Sequence, residues 1–115
     1  MAFRFAFKVA TVGIGAVKPY PGNPRKNGAA IEKVAASLRE FGFRQPIVTD
    51  RNMMIVVGHT RYFAAQSLGM KQVPVHVARD LTGAQAKAYR LADNRTHEDA
   101  EWDQELLGIE LRDLN

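Results

Sequence analysis

The feature that most constrains the fold of this chain is an apolar strand that runs directly into a helix. Residues 53–57 read Met-Met-Ile-Val-Val, which is typical of a strand, and helix signals follow at once in Gly-His-Thr-Arg-Tyr over 58–62. A plain connection needs a glycine or a cap at this point. It does not need an imidazole, a hydroxyl and a guanidinium in succession, so the junction is a candidate binding site.

The residue types at this junction suit an anion. The first N–H groups of a helix have no intrahelical acceptor, and the helix dipole adds partial positive charge. Gly58 has no Cβ, so a ligand can approach its backbone; Thr60 can donate through its hydroxyl, and Arg61 offers a planar fork that matches phosphate oxygens. His59 can donate in either tautomer and carries charge when protonated. Phosphate is the natural ligand, although a capped turn with an exposed Arg would give the same pattern.

The other periodic segments predict a small α+β domain. A strand is expected over 7–12 with a turn at 13–15, then a proline-rich loop, a helix over 29–42, a hairpin of 47–49 and 53–57, a helix over 60–69, a strand over 73–77 and a helix from Thr82 to about Ala92. The first helix has an apolar face made of Ile31, Val34, Ala35, Leu38 and Phe41.

Local signals predict where these helices begin and end. Gly42 and Gly69 are placed to end the first two helices, and Asn27 is a plausible N-cap for the first. Thr82 and Gln85 form a capping box that opens the third. An acidic last helix is expected within 98–115.

Two further polar stretches resemble the junction in character. Arg25 lies on the proline-rich loop, whose stiffness reduces the ordering cost of binding. Asp93, Asn94 and Arg95 fall where the third helix is expected to end; the first two offer oxygens for Mg²⁺, and Arg95 offers a fork for phosphate. Helix termination with solvated charges explains this second stretch equally well.

Composition narrows the class of protein. The 115 residues suit one domain over 1–115, and the lack of a closing element favours a fragment of a longer protein. The absence of Cys excludes disulfides, thiol catalysis and Cys-based metal sites, and no apolar run reaches the length of a membrane span.

The charges are distributed unevenly along the chain. Residues 1–97 hold 15 Lys or Arg against 5 Asp or Glu, whereas residues 98–115 hold 1 Lys or Arg against 7 Asp or Glu. The basic part could attract a polyanion or a nucleotide, or it could be an ordinary solvated surface.

Four segments taken together resemble the ParB/sulfiredoxin-like superfamily, in particular the N-terminal domain of ParB-type proteins. They are NPRKN, VAASLREFGFRQPIVTD, IVVGHTRYFAAQSLGMKQVPV and LADNR, in family order and at family spacing. The resemblance covers about residues 12–114 and implies a small mixed sheet flanked by helices. The motifs GHTR, AAQSLG and LADNR most resemble those of ParB-like domains that are joined to DNA methyltransferases in phages and mobile elements.

The resemblance also implies a nucleotide site. In the partitioning proteins such positions surround a nucleoside triphosphate and Mg²⁺, so it implies that Arg25 and Arg61 contact phosphates and that Gly58, His59 and Thr60 line the phosphate cradle. It gives Asn94 the role of metal ligand and Asp93 a role in hydrolysis. The implied function is binding of CTP or ATP with Mg²⁺ in a cytoplasmic, DNA-associated bacterial or phage protein, with slow hydrolysis as an open question.

This sequence departs from the family pattern at two points. Partitioning proteins usually have Gly-Glu-Arg-Arg where this chain has Gly-His-Thr-Arg, and Asp93 replaces a longer Glu, which leaves nucleotide specificity and turnover open. Sulfiredoxin chemistry is excluded because it needs a Cys. Two alternatives stand beside the nucleotide-binding hypothesis: a DNA-binding or nuclease-like module whose basic loops hold the DNA backbone non-specifically, and a scaffold whose nucleotide site has decayed. A homodimer is one of the oligomeric states left open.

Overall fold

The computed structural model describes residues 8–22 and 28–95. Its elements are strand β1 (Ala10–Gly13), a 3-10 turn (Ile14–Ala16), helix α1 (Gly28–Phe41), strands β2 (Ile47–Thr49) and β3 (Ile55–Val57), helix α2 (His59–Ser67), strand β4 (Gln72–Val77) and helix α3, which includes 83–95. The expected α+β class is confirmed. Arg25, the cap at Asn27 and the acidic helix of 98–115 lie outside the described residues.

The four strands form one mixed sheet in the order β1-β4-β2-β3. Strand β4 pairs antiparallel with β1 and parallel with β2, so Val75 lies opposite both Ala10 and Ile47. Strands β2 and β3 form the predicted antiparallel hairpin. Because β3 leads into α2 and α2 leads back to β4, the strand-to-helix junction lies at an end of β3, beside the central strand β2.

The hairpin turn is longer than the sequence predicts. Strand β3 begins at Ile55 and not at Met53, because Met53 has a φ of 65°, a left-handed backbone that cannot continue a strand. The Oδ1 atom of Asp50 accepts hydrogen bonds from the N–H groups of Asn52 (2.9 Å) and Met54 (3.0 Å), which extends the turn by two residues.

The core lies between the sheet and the helices. Its buried members are Val17, Ile47, Ile55, Tyr62, Ala65, Val73 and Val75. Val73 and Val75 of β4 are fully buried, while the Nδ1 atom of His76 lies 2.7 Å from the carbonyl oxygen of Lys8. Phe43 packs partly buried against the core. Phe41 does not: it is 60% exposed at the last position of α1, so its assignment to the buried face is wrong.

The predicted helix boundaries are confirmed where local chemistry sets them. Gly42 and Gly69 have φ angles of 84° and 72°, and their N–H groups donate to Leu38 and Gln66 at the ends of α1 and α2. The Thr82 N–H donates to Gln85 Oε1 (2.9 Å), and the Gln85 N–H donates to Thr82 Oγ1 (3.1 Å), which completes the capping box. No helix within the described residues is long and apolar enough to cross a membrane.

Candidate functional site

Gly58 is the N-cap of α2 and fixes the shape of the junction. Its φ of 106° lies in the left-handed region, and a Cβ added there would lie 3.0 Å from Arg61 Nη1 and 3.3 Å from Ile47 Cα. The sequence predicts that the missing Cβ lets a ligand approach the backbone; in the structure the guanidinium of Arg61 and the backbone of Ile47 lie close to the position that a Cβ would take. Glycine is required here for close packing of the chain against itself. Its role in a phosphate cradle stays a prediction.

Arg61 lies half-buried across the start of α2. Its Nη2 atom donates to Gln45 Oε1 (2.8 Å), and its Nη1 atom donates to the Pro46 carbonyl in a long contact of 3.4 Å. Burial lowers the pKa of Arg61, while the negative charge of Asp93 acts in the opposite direction. The guanidinium is therefore held in one orientation before any ligand binds, and it lies close enough to the Asp93 carboxylate on α3 to interact with its charge.

His59 is buried and neutral, which differs from the charged donor considered from the sequence. Its Nε2 atom accepts a hydrogen bond from the Tyr20 N–H (3.0 Å), so this nitrogen carries no proton. Burial, with a smaller contribution from the positive charge of Arg90, lowers the pKa of His59 to about 4. Near pH 7 the imidazole therefore adds no positive charge to the junction. The half-buried Thr60 follows it in α2, and its phosphate-binding role stays a prediction.

Helix α3 continues through Arg95, so the prediction that it ends near Ala92 is wrong. Asparagine disfavours a helix interior only weakly, and Asn94 is itself one of the less exposed positions of α3, so the stop signal there does not end the helix. The less exposed positions are Ala86, Arg90, Asp93 and Asn94, at helical spacing. The negative charge of Asp93 acts on the pKa of Arg61, so this face of α3 lies near the junction, while Arg95 is exposed.

Three residues of this neighbourhood were not singled out from the sequence as site residues. Gln45 holds Arg61, Tyr20 donates to His59, and Arg90 contacts Tyr20 and β3. None belongs to a motif with its partner, since the partners are 16, 39 and 35 residues apart. Only the proximity of Gln45 to the start of β2 could have suggested its role.

A groove of about 360 Å³ adjoins the junction. The C-terminal half of α1 forms its apolar wall, and Arg44, Gln45 and Arg61 form its polar end. An open groove with two guanidinium groups at one end suits a ligand that combines an anionic part with a flat or apolar part.

The donor set of α3 suits Mg²⁺ only together with a ligand. Asp93 offers carboxylate oxygens, and the Asn94 Oδ1 atom is buried; both are the hard oxygen donors that Mg²⁺ prefers. Within residues 8–22 and 28–95 there is no cluster of three or more His, Asp or Glu that could hold a metal alone. A magnesium ion here would therefore need oxygens from a bound phosphate as well.

The fold and site define a small α+β domain with a preorganised arginine at a strand-to-helix junction. The model of the ParB N-terminal domain matches residues 6–95, and the chain therefore belongs to the ParB N-terminal domain family, within the ParB/sulfiredoxin-like superfamily.

Individual relatives agree with this assignment. The chain is 33% identical over 96 residues to the chromosome-partitioning protein Spo0J of Thermus thermophilus, a match that covers 79% of this chain and 35% of that protein. The chain therefore spans about a third of that relative's length.

Solved structures agree as well. The C-terminally truncated chromosome-partitioning protein ParB of Caulobacter crescentus, complexed with CTP-γ-S, has a TM-score of 0.65 and 28% identity over 76% of this chain and 53% of that one. The same protein complexed to the centromeric parS site has a TM-score of 0.59 and 27% identity over 74% and 46%. Sulfiredoxin from Arabidopsis thaliana (TM-score 0.60, 19% identity, 71% and 96% covered) shares the fold.

Proposed function

We propose that this domain binds a nucleoside triphosphate, with CTP as the leading candidate, at the junction of β3 and α2. The observation that carries the proposal is the preorganised guanidinium of Arg61, held by Gln45 at a helix N-terminus. An arginine fixed in advance loses less side-chain entropy when it meets a phosphate. The CTP-γ-S complex of the Caulobacter protein, which this chain matches over 76% of its length, supports CTP as the ligand.

The residues around Arg61 have separate roles in this proposal. The N–H groups at the start of α2, from Gly58 to Thr60, contact phosphate oxygens, as helix N-termini do in many nucleotide sites. Arg25 and Arg95 add positive charge. His59 remains neutral and positions the loop through Tyr20, so the phosphate charge is met by arginine and by backbone groups.

Magnesium would be held by Asn94 together with phosphate oxygens, and it would screen the charge of the phosphates. Asp93 is the candidate for orienting an attacking water, and its field already reaches Arg61. A short carboxylate reaches less far than a glutamate, so we expect any hydrolysis to be well below the ~1–100 s⁻¹ of efficient phosphoryl-transfer enzymes.

The test is calorimetric titration of the domain with CTP, ATP, GTP and UTP, each with Mg²⁺ and with EDTA. Arg61→Ala is expected to weaken binding by about tenfold to a hundredfold, since a charge-assisted hydrogen bond contributes about 1.5–3 kcal/mol. Arg39→Ala is the matched control, because Arg39 is an exposed arginine in the last turn of α1. Unchanged affinity in folded Arg61→Ala, or no binding of any triphosphate by the wild type, would contradict the proposal.

DNA binding is the second candidate, favoured by the excess of 15 Lys or Arg over 5 Asp or Glu in residues 1–97 and by the parS complex of the Caulobacter structure. We expect the domain alone to bind duplex DNA weakly, without sequence preference, and with an affinity that falls steeply as salt increases. Fluorescence anisotropy with specific and scrambled duplexes at several salt concentrations tests this expectation; tight, sequence-specific binding at physiological salt would contradict it. Association with a DNA methyltransferase stays a prediction.

A further inference from the structure

Arg90 joins three parts of the molecule through one guanidinium. Its Nε atom donates to the Ile55 carbonyl (3.0 Å), its Nη2 atom lies 3.8 Å from Asp50 Oδ2, and its Cζ atom lies 4.2 Å from the centroid of the Tyr20 ring. The last distance is that of a cation–π contact. The side chain is only 11% exposed. Arg90 therefore attaches α3 to β3, to the hairpin turn and to the start of the proline-rich loop at Tyr20.

The position of Arg90 on its helix links this attachment to the candidate site. Asp93 and Asn94 follow Arg90 by three and four residues, so the three residues share one face of α3. Any shift or rotation of α3 at Arg90 would move the Asp93 carboxylate relative to Arg61. The contacts of Arg90 thus set the positions of Asn94, the proposed magnesium ligand, and Asp93, the residue proposed to orient water.

Tyr20 connects the same attachment to the other side of the site. Its ring lies against Arg90, while its N–H donates to His59 Nε2 at the first turn of α2 (3.0 Å). One residue therefore contacts both the start of α2 and the inward face of α3.

We propose that Tyr20 and Arg90 form a positioning pair that holds α3 against the start of α2, so that nucleotide affinity depends on a contact that touches no nucleotide. The inference rests on the proposed function and deepens it. Three groups hold the two helices together in this proposal: the ring of Tyr20, its N–H and the planar guanidinium of Arg90. The Tyr20 hydroxyl has no part in the positioning.

The first test compares Arg90→Met with Lys87→Met, which removes the same charge from an exposed position on the same helix. Calorimetry with CTP and Mg²⁺ is run well below the melting temperature of each variant, beside a thermal melt without ligand. Arg90→Met is expected to raise Kd by about tenfold or more, because a shifted helix would lose a charge-assisted contact with the bound nucleotide and its Mg²⁺, and one such contact contributes about tenfold or more. Lys87→Met should leave Kd unchanged. Reduced thermal stability with an unchanged Kd in Arg90→Met would overturn the proposal.

Conservative variants separate positioning from simple stabilisation. Tyr20→Phe keeps the ring and the N–H and is expected to bind like the wild type, whereas Tyr20→Ala removes the ring and should match Arg90→Met. Arg90→Lys keeps the charge but not the planar fork, so it should restore affinity only in part. If Arg90→Met does not fold, the comparison of Tyr20→Ala with Tyr20→Phe and the affinity of Arg90→Lys test the proposal in its place. Equal affinity of Tyr20→Ala and Tyr20→Phe would contradict the pair.

A double-mutant cycle tests whether Arg90 acts through α3. In an Asn94→Ala background, Arg90→Met should weaken CTP binding much less than it does in the wild type. Fully additive losses would mean that Arg90 does not act through the helix face.

A readout without nucleotide keeps this inference separate from the proposed function. In NMR spectra of the free domain, Arg90→Met should shift the backbone amide resonances of Gly58 and Arg61 and the side-chain amide of Asn94, and Lys87→Met should not. Unmoved resonances would overturn the positioning pair even if the wild type binds CTP. Absence of CTP binding with shifted resonances would remove the proposed function and leave the structural coupling in place.

Discussion

Replacement of Gly58 by alanine is the sharpest test of how the junction is built. Two costs add at this position. The φ of 106° places a residue with a Cβ in the left-handed region, at about 1–2 kcal/mol. The Cβ would also lie 3.0 Å from Arg61 Nη1 and 3.3 Å from the Cα of Ile47, a residue with 0% exposure in the sheet, and forcing an atom into such packing costs about 1–3 kcal/mol. Together we expect Gly58→Ala to lower the free energy of unfolding by about 2–5 kcal/mol.

Two other glycines allow the two costs to be measured separately. Gly69 has a φ of 72° but no atom within 4 Å of its added Cβ, so Gly69→Ala should lose only the backbone contribution, about 1–2 kcal/mol. Gly83 has neither a left-handed φ nor a close neighbour, so Gly83→Ala should be neutral or stabilise by up to about 1 kcal/mol. Urea denaturation of the three variants gives the free energies, and a thermal melt should show a shift of about 4 °C per kcal/mol. Equal losses in Gly58→Ala and Gly69→Ala would refute the steric part of the reasoning.

Three further predictions follow from single contacts. The pKa of His59 is lowered from 6.5 to about 4, so between these pH values the unfolded chain binds a proton that the folded chain does not. The free energy of unfolding should therefore be unaffected by His59 above pH 6.5 and fall by about 2–3 kcal/mol toward pH 4. Denaturation at several pH values measures this loss, which His59→Gln should largely lack. Thr82→Ala should lower the free energy of unfolding by about 1 kcal/mol in urea melts, and Thr82→Ser should retain it; equal values would show that the capping box contributes nothing. If the domain hydrolyses its nucleotide, Asn94→Ala should weaken Mg²⁺-dependent binding while Asp93→Ala spares binding and loses phosphate release; equal effects of both would make the pair structural.

Features that depend on neighbours in the chain could be predicted from the sequence alone. The Thr82–Gln85 capping box, the glycines at the ends of α1 and α2, the hairpin and the strand-to-helix junction all follow from local hydrogen bonding and backbone geometry. The location of the candidate site was predictable for the same reason, since Gly58 to Arg61 fall at a helix start. The family pattern added Asp93, whose charge does act on Arg61 in the structure.

The tertiary structure decided the chemical state and the support of that site. Burial beneath Tyr20 and near Arg90 makes His59 neutral, and no local pattern encodes burial. A side chain at Gly58 would meet Arg61 and the backbone of Ile47, because β2 passes beside the junction.

The extent of the elements also depended on distant contacts. Helix α3 runs through Arg95 although Asn94 is a weak stop signal, since Asn94 lies on the less exposed face of the helix. Phe41 lies at a groove where α1 ends. Contacts such as that of Arg90 with Ile55 join residues 35 positions apart, and only the folded sheet brings them together. Short-range propensities fix where elements start and stop, whereas long-range packing fixes which polar groups meet.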